Sequence, residues 1–361
     1  MAAPDHVMSG KSTGPAGADE ARFRKAAAIL AMPPYIPDPD LPAALLKRHY
    51  GLAGTITSLS SEFERTLALE LPDGRRLILK MSDKPEAVDS FRFQAMAMAG
   101  LRVPSGFSAP QVLRTTSGEA IFDHDGVSGY LQSRIEGVPL HTVTPTPGLS
   151  LEIGKALGRL DLALAEVDAP ASRRPVLWQI GSWPLLVDLM PYVPTGRIAD
   201  CVKTAMAQYV EHIQPWIADL EWQITHNDPS PFNMFLTSEG IGFIDFGDGG
   251  WNPGIQDLAI AASHFVTDPR LSLGGAEHIV AGYASVRPLS ALEESLLVGM
   301  MRARQSALIL INYWRAQLFP RDAEYIKKNV ERAERGLLIL ASLDAVSGEA
   351  AVRSAISHCS P

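Results

Sequence analysis

The chain has 361 residues, of which 46% are hydrophobic and 20% charged, and a formal net charge of −8. That length fits two or three domains with substantial cores, and the acidic balance argues against a nucleic-acid partner, which requires a basic face. No apolar run is long enough to span a bilayer, since the helical stretch around Leu296–Trp314 is broken by Arg302 and Arg304, so no membrane partner is expected.

From the N-terminus, residues 1–20 are rich in Pro, Gly, Ser, Asp and Ala and are expected to be disordered. Within them Gly10-Lys11-Ser12-Thr13 imitates the end of a phosphate-binding P-loop. The motif requires a glycine five residues before Gly10, where Asp5 stands, and no strand precedes it. The apolar run Ala26–Met32 lies too far in, and is too short, for a signal peptide. Cys201 and Cys359 are the two cysteines and have no metal or redox spacing, which suits a reducing compartment and predicts a cytoplasmic location.

A helix is expected over Leu41–Tyr50, ended by Gly51–Gly54. Thr66–Leu71 alternates as a half-buried strand, Pro72-Asp73-Gly74 signals a turn, and Arg76–Met81 returns as a second strand. On that strand Ile78 and Lys80 share one face, opposite Leu77 and Leu79. Pro85–Leu101 reads as a helix, and Ala109–Arg114, Ala120–Asp123 and Tyr130–Ile135 as strands. Together these make a lobe of about five strands and one helix over residues 21–137. After a linker near 134–137 the chain becomes mostly helical through 138–345, with helices over Leu151–Val167, Pro184–Tyr192 and Ile198–Ile213. A Ser290-x-x-Glu293 capping box opens a long helix to about Leu318, and a last helix runs from Asp322 to near Leu343. Residues 346–361 read as a loose tail.

Chemistry concentrates in His226-Asn227-Asp228-Pro229-Ser230-Pro231-Phe232-Asn233, followed by Asp245-Phe246-Gly247-Asp248. The two segments spell H-x-D-x-x-x-x-N and D-F-G, separated by two short strands joined through Thr237–Gly240. Transfer of a nucleotide's terminal phosphoryl group needs a carboxylate to orient and deprotonate the attacking hydroxyl, and ligands to hold Mg²⁺ on the phosphates. Asp228 is the expected base, and Asn233 and Asp245 the expected metal ligands. Lys80 is expected to hold the non-transferred phosphates. Spacing on the following helix offers Gln94 as its neighbour, with Glu86 and Asp89 one to two turns earlier. His226 reads as a prop for the loop more readily than as a proton carrier. Asp248 stands beside Asp245, a costly arrangement unless a cation lies between them, which suggests contact with metal or a substrate ammonium. Asp257 is open to two readings, a helix N-cap or a substrate contact, and Trp251 to two others, pocket wall or core.

These residues resemble the aminoglycoside phosphotransferase-like branch of the protein-kinase-like fold, and within it the hydroxylysine kinases. The resemblance covers roughly residues 20–345. It rests on Leu59-x-Ser61-Glu62, Asp73-Gly74…Leu79-Lys80, Val103-Pro104 with Pro110, Ser117-Gly118, Ile135-x-Gly137, Gly154-x-x-Leu157-Gly158-x-Leu160-Asp161, Trp178-x-Ile180 and the two catalytic motifs. It implies an α+β, two-lobed fold: a small antiparallel β N-lobe with one helix, and a large, mainly helical C-lobe. It further implies nucleotide contacts from Ser60, Ser61 and the linker residues Arg134 and Ile135, Mg²⁺ as cofactor, and GTP or ATP as donor. Thr55–Arg65 contains no glycine, Asn227 replaces the arginine of phosphorylation-activated protein kinases, and no activation segment follows Asp248. A small amine or amino acid is therefore the expected acceptor, 5-hydroxylysine first, with aminoglycosides, homoserine, choline or ethanolamine as alternatives. A nucleotide-binding pseudokinase scaffold is the alternative of another class. Asp228, Asp245, Asp248 and Asp257 together predict a negative field that favours an ammonium-bearing acceptor, while the sequence identifies no basic partner for an acceptor carboxylate.

Overall fold

The computed structural model describes residues 15–33, 35–59, 61, 63–103 and 106–358. The P-loop imitation, Ser60, Glu62, Pro104 and Cys359 lie outside the described residues. In chain order the first half comprises α1 (Pro15–Leu30), α2 (Leu41–Tyr50), β1 (Thr55–Ser58), β2 (Arg65–Glu70), β3 (Arg76–Ser82), α3 (Pro85–Gly100), β4 (Gly106–Ser108), β5 (Val112–Leu113), β6 (Phe122–His124) and β7 (Val127–Ser133). The second half holds β8 (Val138–Pro139), α4 (Pro147–Ala165), α5 (Arg197–His212), β9 (Trp222–Thr225), β10 (Met234–Thr237), β11 (Gly240–Phe243), β12 (Gly250–Pro253), α6 (Ile255–His264), α7 (Glu277–Ala284), α8 (Ala291–Leu318), α9 (Ala323–Ile326), α10 (Val330–Leu340) and α11 (Ala345–His358).

The smaller part is an antiparallel sheet in the order β1-β2-β3-β7-β5, with β6 also paired to β7. The expected turn sets its register: Gly74 takes φ +84°, which favours glycine, and Thr66 comes to lie opposite Lys80. Alternation then divides the sheet. Leu67, Leu69, Leu77, Leu79 and Leu131 pack with Leu45, Leu46 and Tyr50 of α2 in a small core. The other face carries Ala68, Ile78, Lys80, Tyr130 and Gln132.

The larger part is mainly helical and is organised around α8, which packs against α5, α6, α10 and α11. Ser290 and Glu293 form the expected capping box, with Ser290 Oγ accepting from the Glu293 amide at 3.2 Å and Glu293 accepting from the Ser290 amide at 2.8 Å. Gly154 of α4 and Gly282 of α7 explain themselves by contact. A Cβ at Gly154 would lie 2.1 Å from the carbonyl oxygen of Ile279, and one at Gly282 the same distance from that of Leu151. Bare backbone is what lets α4 and α7 touch.

Several expectations change. Helix α1 begins at Pro15, inside the segment read as disordered, and buries Phe23 and Ala26 in the large core. The expected loose tail forms α11, which packs on α7 and α8 through Ala351, Val352 and Ala355. Ile180–Tyr192 is a 3₁₀ segment, because Pro184 and Pro191 remove amides from any longer α-helix. The strand expected over Ala109–Arg114 shrinks to the two residues of β5, and a further strand, β4, precedes it. β4 pairs parallel with β11, so the division at residue 137 follows the main sheet but not α1 or β4. The helix expected from Asp322 to Leu343 is broken into α9, a 3₁₀ turn and α10.

Gly154→Ala should force α4 and α7 apart and lower stability by about 1–3 kcal/mol, the cost of overpacking a close contact. Urea unfolding checks this: an unchanged midpoint would mean the two helices separate at no cost.

Candidate active site

Lys80, near the end of β3, is 4% exposed and its Nζ meets three oxygens. Glu64 Oε1 lies at 2.6 Å, Asp245 Oδ1 at 2.8 Å and Gln94 Oε1 at 3.2 Å. Burial alone would depress this amine, but Asp245 and Glu64 outweigh it and hold its pKa well above the usual lysine value. Gln94 Oε1 also accepts from Tyr130 Oη at 2.8 Å, and its amide donates to Ser90 at 3.1 Å, so the glutamine is fixed from both sides. The charged partner of Lys80 is thus Glu64, which the sequence reading missed. Glu86 is only half-buried, and Asp89 pairs with Arg92 at 3.3 Å. A signal existed: with Thr66 opposite Lys80, Glu64 stands two residues further along, on the same sheet face. The Ser61 hydroxyl donates to the Glu64 carbonyl, so it holds the loop rather than projecting from it.

The two catalytic motifs meet across the β10–β11 hairpin. Asp228 Oδ2 accepts from Asn233 Nδ2 at 2.6 Å, and Asp228 Oδ1 accepts from Arg304 Nη2 on α8 at 3.2 Å. Asp245 occupies the left-handed region (φ +61°) and accepts from the Gly247 amide at 3.2 Å, leaving its carboxylate half-exposed. Burial would raise its pKa, but Lys80 prevails and keeps it below the usual carboxylate range. Asp245 and the side-chain carbonyl of Asn233 are both hard oxygen donors. Such a pair suits Mg²⁺, which takes few protein ligands and completes its shell with water and phosphate.

His226 is fully buried, and burial pushes its pKa down to about 4. Its Nδ1 accepts from the Asp228 amide at 3.3 Å, so Nε2 carries the proton and donates to the Ile244 carbonyl at 2.9 Å. Both ring nitrogens are occupied in joining the loop to the D-F-G strand.

Asp257 fits neither of its two sequence readings. It is the third residue of α6, it is fully buried, and it accepts from the amides of His226 at 2.6 Å and Asn227 at 2.7 Å. It therefore holds the catalytic loop from beneath and is not presented to a substrate. Asn227, at φ +65°, donates to the Asp248 carbonyl at 2.9 Å. Beneath Asp257 lies Asp161, whose Oδ2 accepts from Tyr283 Oη at 2.6 Å. Burial first, and Asp257's charge second, push Asp161 far above the carboxylate range, while burial raises Asp257 to about 6. Asp161 Oδ1 accepts no hydrogen bond among the described residues. A proton on it, donated to Asp257, satisfies both groups.

The remaining site residues divide. Arg134 lines a hollow of about 280 Å³ with Thr57, Ala68 and Arg76, on the sheet face that bears Lys80. Ile135 reaches the hairpin, since a Cβ on Gly242 would lie 2.8 Å from its Cγ2. Trp251 is half-buried at the edge of the helical core with the Arg173 guanidinium 4.9 Å from its ring centre. Asp248 faces cations: its charge acts on the half-buried Arg174 and the buried Arg304. Arg174 also donates to the carbonyls of Gly247 and Gly249, clamping the turn after D-F-G. Lys80, Arg174 and Arg304 stand among Glu64, Asp245, Asp248 and Asp228, so the carboxylates of the expected negative field are interleaved with cations. Among the described residues no helix is long and apolar enough to cross a membrane.

A family model described as "Phosphotransferase enzyme family" matches residues 55–289, the span that holds Lys80, both catalytic motifs and the Asp161–Asp257 pair. The chain belongs to the aminoglycoside phosphotransferase family. Hydroxylysine kinase of Mus musculus is 27% identical over 247 residues, which cover 62% of this chain and 65% of that protein, just under two thirds of its length. Homoserine kinase of Mesorhizobium japonicum is 31% identical over 219 residues, 59% of this chain and 65% of that one. Among solved structures, an amicoumacin kinase complex with AMP-PNP and Ca²⁺ superposes with a TM-score of 0.59 at 12% identity, covering 81% of this chain and 94% of its own. A microcompartment-associated aminopropanol kinase gives 0.57 at 18% identity, covering 86% and 99%. These likenesses establish the protein-kinase-like fold, with its antiparallel N-terminal sheet and helical C-terminal part.

The buried acid pair sets a pH dependence. Carboxyls whose pKa is raised on folding keep protons that the unfolded chain has released, so stability should fall as pH rises from about 4 to about 6. Asp161→Asn still donates to Asp257 and accepts from Tyr283, and should reduce that slope while remaining folded. An unchanged slope in urea midpoints across this window would contradict the shared proton.

Proposed function

We propose that the protein is a small-molecule kinase that moves the terminal phosphoryl group of ATP or GTP onto the hydroxyl of a small amino compound, 5-hydroxylysine first. One observation carries the reading. Lys80 pairs with Asp245 and Asp228 with Asn233, and the β10–β11 hairpin joins the two pairs. A scaffold that merely binds nucleotide has no need of the Asp228–Asn233 pairing. Likeness to hydroxylysine and homoserine kinases supports an amino-acid acceptor.

In this account Lys80 holds the non-transferred phosphates, with Glu64 and Gln94 keeping its ammonium in place. The sheet face that includes the hollow beside Arg134 takes the nucleoside, with Ile135 in the linker. Asp245 and Asn233 are the residues that would hold Mg²⁺, which would supply positive charge against the phosphates. Asp228 orients the acceptor hydroxyl and takes its proton as the acceptor oxygen bonds to the terminal phosphorus. The bond from that phosphorus to the bridging oxygen breaks, and the nucleoside diphosphate leaves with the bridging electrons. Neutral His226 keeps the loop and the D-F-G strand in register and moves no proton. The domain roles follow: residues 21–137 chiefly hold nucleotide, and 138–345 supply catalysis and the acceptor pocket.

The test is nucleoside diphosphate release over a panel of hydroxy amino acids and amino alcohols, with ATP and GTP in parallel. Asp228→Asn should retain nucleotide affinity and lose about a hundredfold or more in kcat, the scale of general base catalysis. A variant turning over at the wild-type rate would remove Asp228 from that role, and release that no acceptor stimulates would favour the scaffold.

A further inference from the structure

Arg304 reaches Asp228 with Nη2 alone. Its side chain is 4% exposed, yet among the described residues its buried Nε and Nη1 have no hydrogen-bond partner. The guanidinium lies 4.7 Å from the ring centre of Trp178, which fixes its plane without satisfying its N–H groups. Next to it, from α10, stands Arg332. Its Nη1 donates to the Ser263 carbonyl at 3.3 Å, while its buried Nη2 has no partner among the described residues. Burial first, and the like charge of Arg304 second, lower the Arg332 pKa to about 10, so both guanidinia remain charged at neutral pH and repel one another. Among the described residues, neither ring nitrogen of His264 on α6 has a hydrogen-bond partner, and Gln305 Oε1 finds no donor.

Unpaired buried donors of this kind are costly, because each forfeits its hydration without a compensating bond. Three helices, α6, α8 and α10, converge to present them beside one carboxylate. Asp228, Asp248 and Asp257 all act on Arg304, and Asp228 on Arg332, yet none of them takes the hydrogen bonds that Arg304 Nε and Nη1 and Arg332 Nη2 can donate. A planar anion with two oxygens meets guanidinium donors in the fork geometry they favour, and the orphaned carbonyl of Gln305 can accept from an adjacent ammonium. The head group of an α-amino acid has both features. The nucleotide phosphates are assigned to Lys80 and the D-F-G side, which leaves this cluster to the acceptor.

We infer that Arg304, Arg332 and His264 form a subsite for the acceptor's α-carboxylate, so that the enzyme selects hydroxy amino acids over amino alcohols. This rests on the kinase reading above and adds the specificity element that the carboxylates alone do not supply. Arg332 is the selective probe, since Arg304 also touches the proposed base.

The experiment pairs each acid with its decarboxylated analogue: 5-hydroxylysine with 1,5-diaminopentan-2-ol, and homoserine with 3-aminopropan-1-ol. Full-length wild type and Arg332→Met are assayed for kcat/KM, and binding of the same four compounds is followed by calorimetry. Wild type should prefer at least one acid over its analogue by about tenfold or more, the scale of one charge-assisted contact. Arg332→Met should erase that preference chiefly through the acid's KM, leaving the amino alcohol's constants unchanged. Equal constants for acid and analogue in the wild type overturn the subsite, as does a variant that loses both substrates equally, which would assign Arg332 to phosphoryl transfer or to packing. If wild type phosphorylates none of the four, the kinase reading fails on these acceptors and calorimetry decides the subsite separately. Binding of an acid that weakens in Arg332→Met supports it, and the absence of acid-selective binding overturns it.

Discussion

One ammonium joins the two halves of this molecule. Lys80 leaves the sheet buried, and a buried lysine without counter-charge would lose its proton or pull the cleft open. Glu64 comes from the loop before β2, Gln94 from α3 and Asp245 from the turn that follows the catalytic hairpin. The hydrogen bond from Tyr130 to Gln94 ties the amide to β7, so the lysine's direction is set by three elements of the small part and one of the large. Everything proposed for the nucleotide depends on that direction.

A second constraint works from below the catalytic loop. Asp257 accepts two successive loop amides, and Asp161 with Tyr283 supports it, although a pair of carboxyls in a dry core is costly unless a proton is shared. The arrangement fixes Asp228 without touching it. Above the loop each exposed carboxylate faces a cation, Asp228 against Arg304 and Asp248 against Arg174 and Arg304. In the proposed kinase, acceptor selection turns on which donors remain unpaired once these pairs are formed.

Much of this was legible in the sequence where local rules decide. The Pro72-Asp73-Gly74 turn, the alternation along β3 and the Ser290–Glu293 capping box each dictate geometry over a few residues. The spacing of Asp228, Asn233 and Asp245 survives folding because a tight hairpin joins them. What escaped depends on contacts between distant segments. Glu64 lies in a loop whose carboxylate direction only strand register reveals. Arg304 sits inside a 28-residue helix, where an arginine reads as an interruption of an apolar face. Asp257 was weighed as a cap because it stands near a helix start, yet its carboxylate turns away from its own helix to the loop at 226–227. Helix α11 was missed because its low-complexity, alanine- and serine-rich sequence gains its helical state from packing on α7 and α8.

The most direct test of the central claim is a double-mutant cycle between Lys80 and Glu64, read as affinity for the metal–nucleotide complex. Lys80→Met, Glu64→Gln and the double variant would be titrated beside wild type. If Glu64 acts through the ammonium it holds, the two losses should fail to add, with a coupling of about 1 kcal/mol or more. Strictly additive losses would contradict the account, because they would mean that the carboxylate and the lysine serve the nucleotide independently.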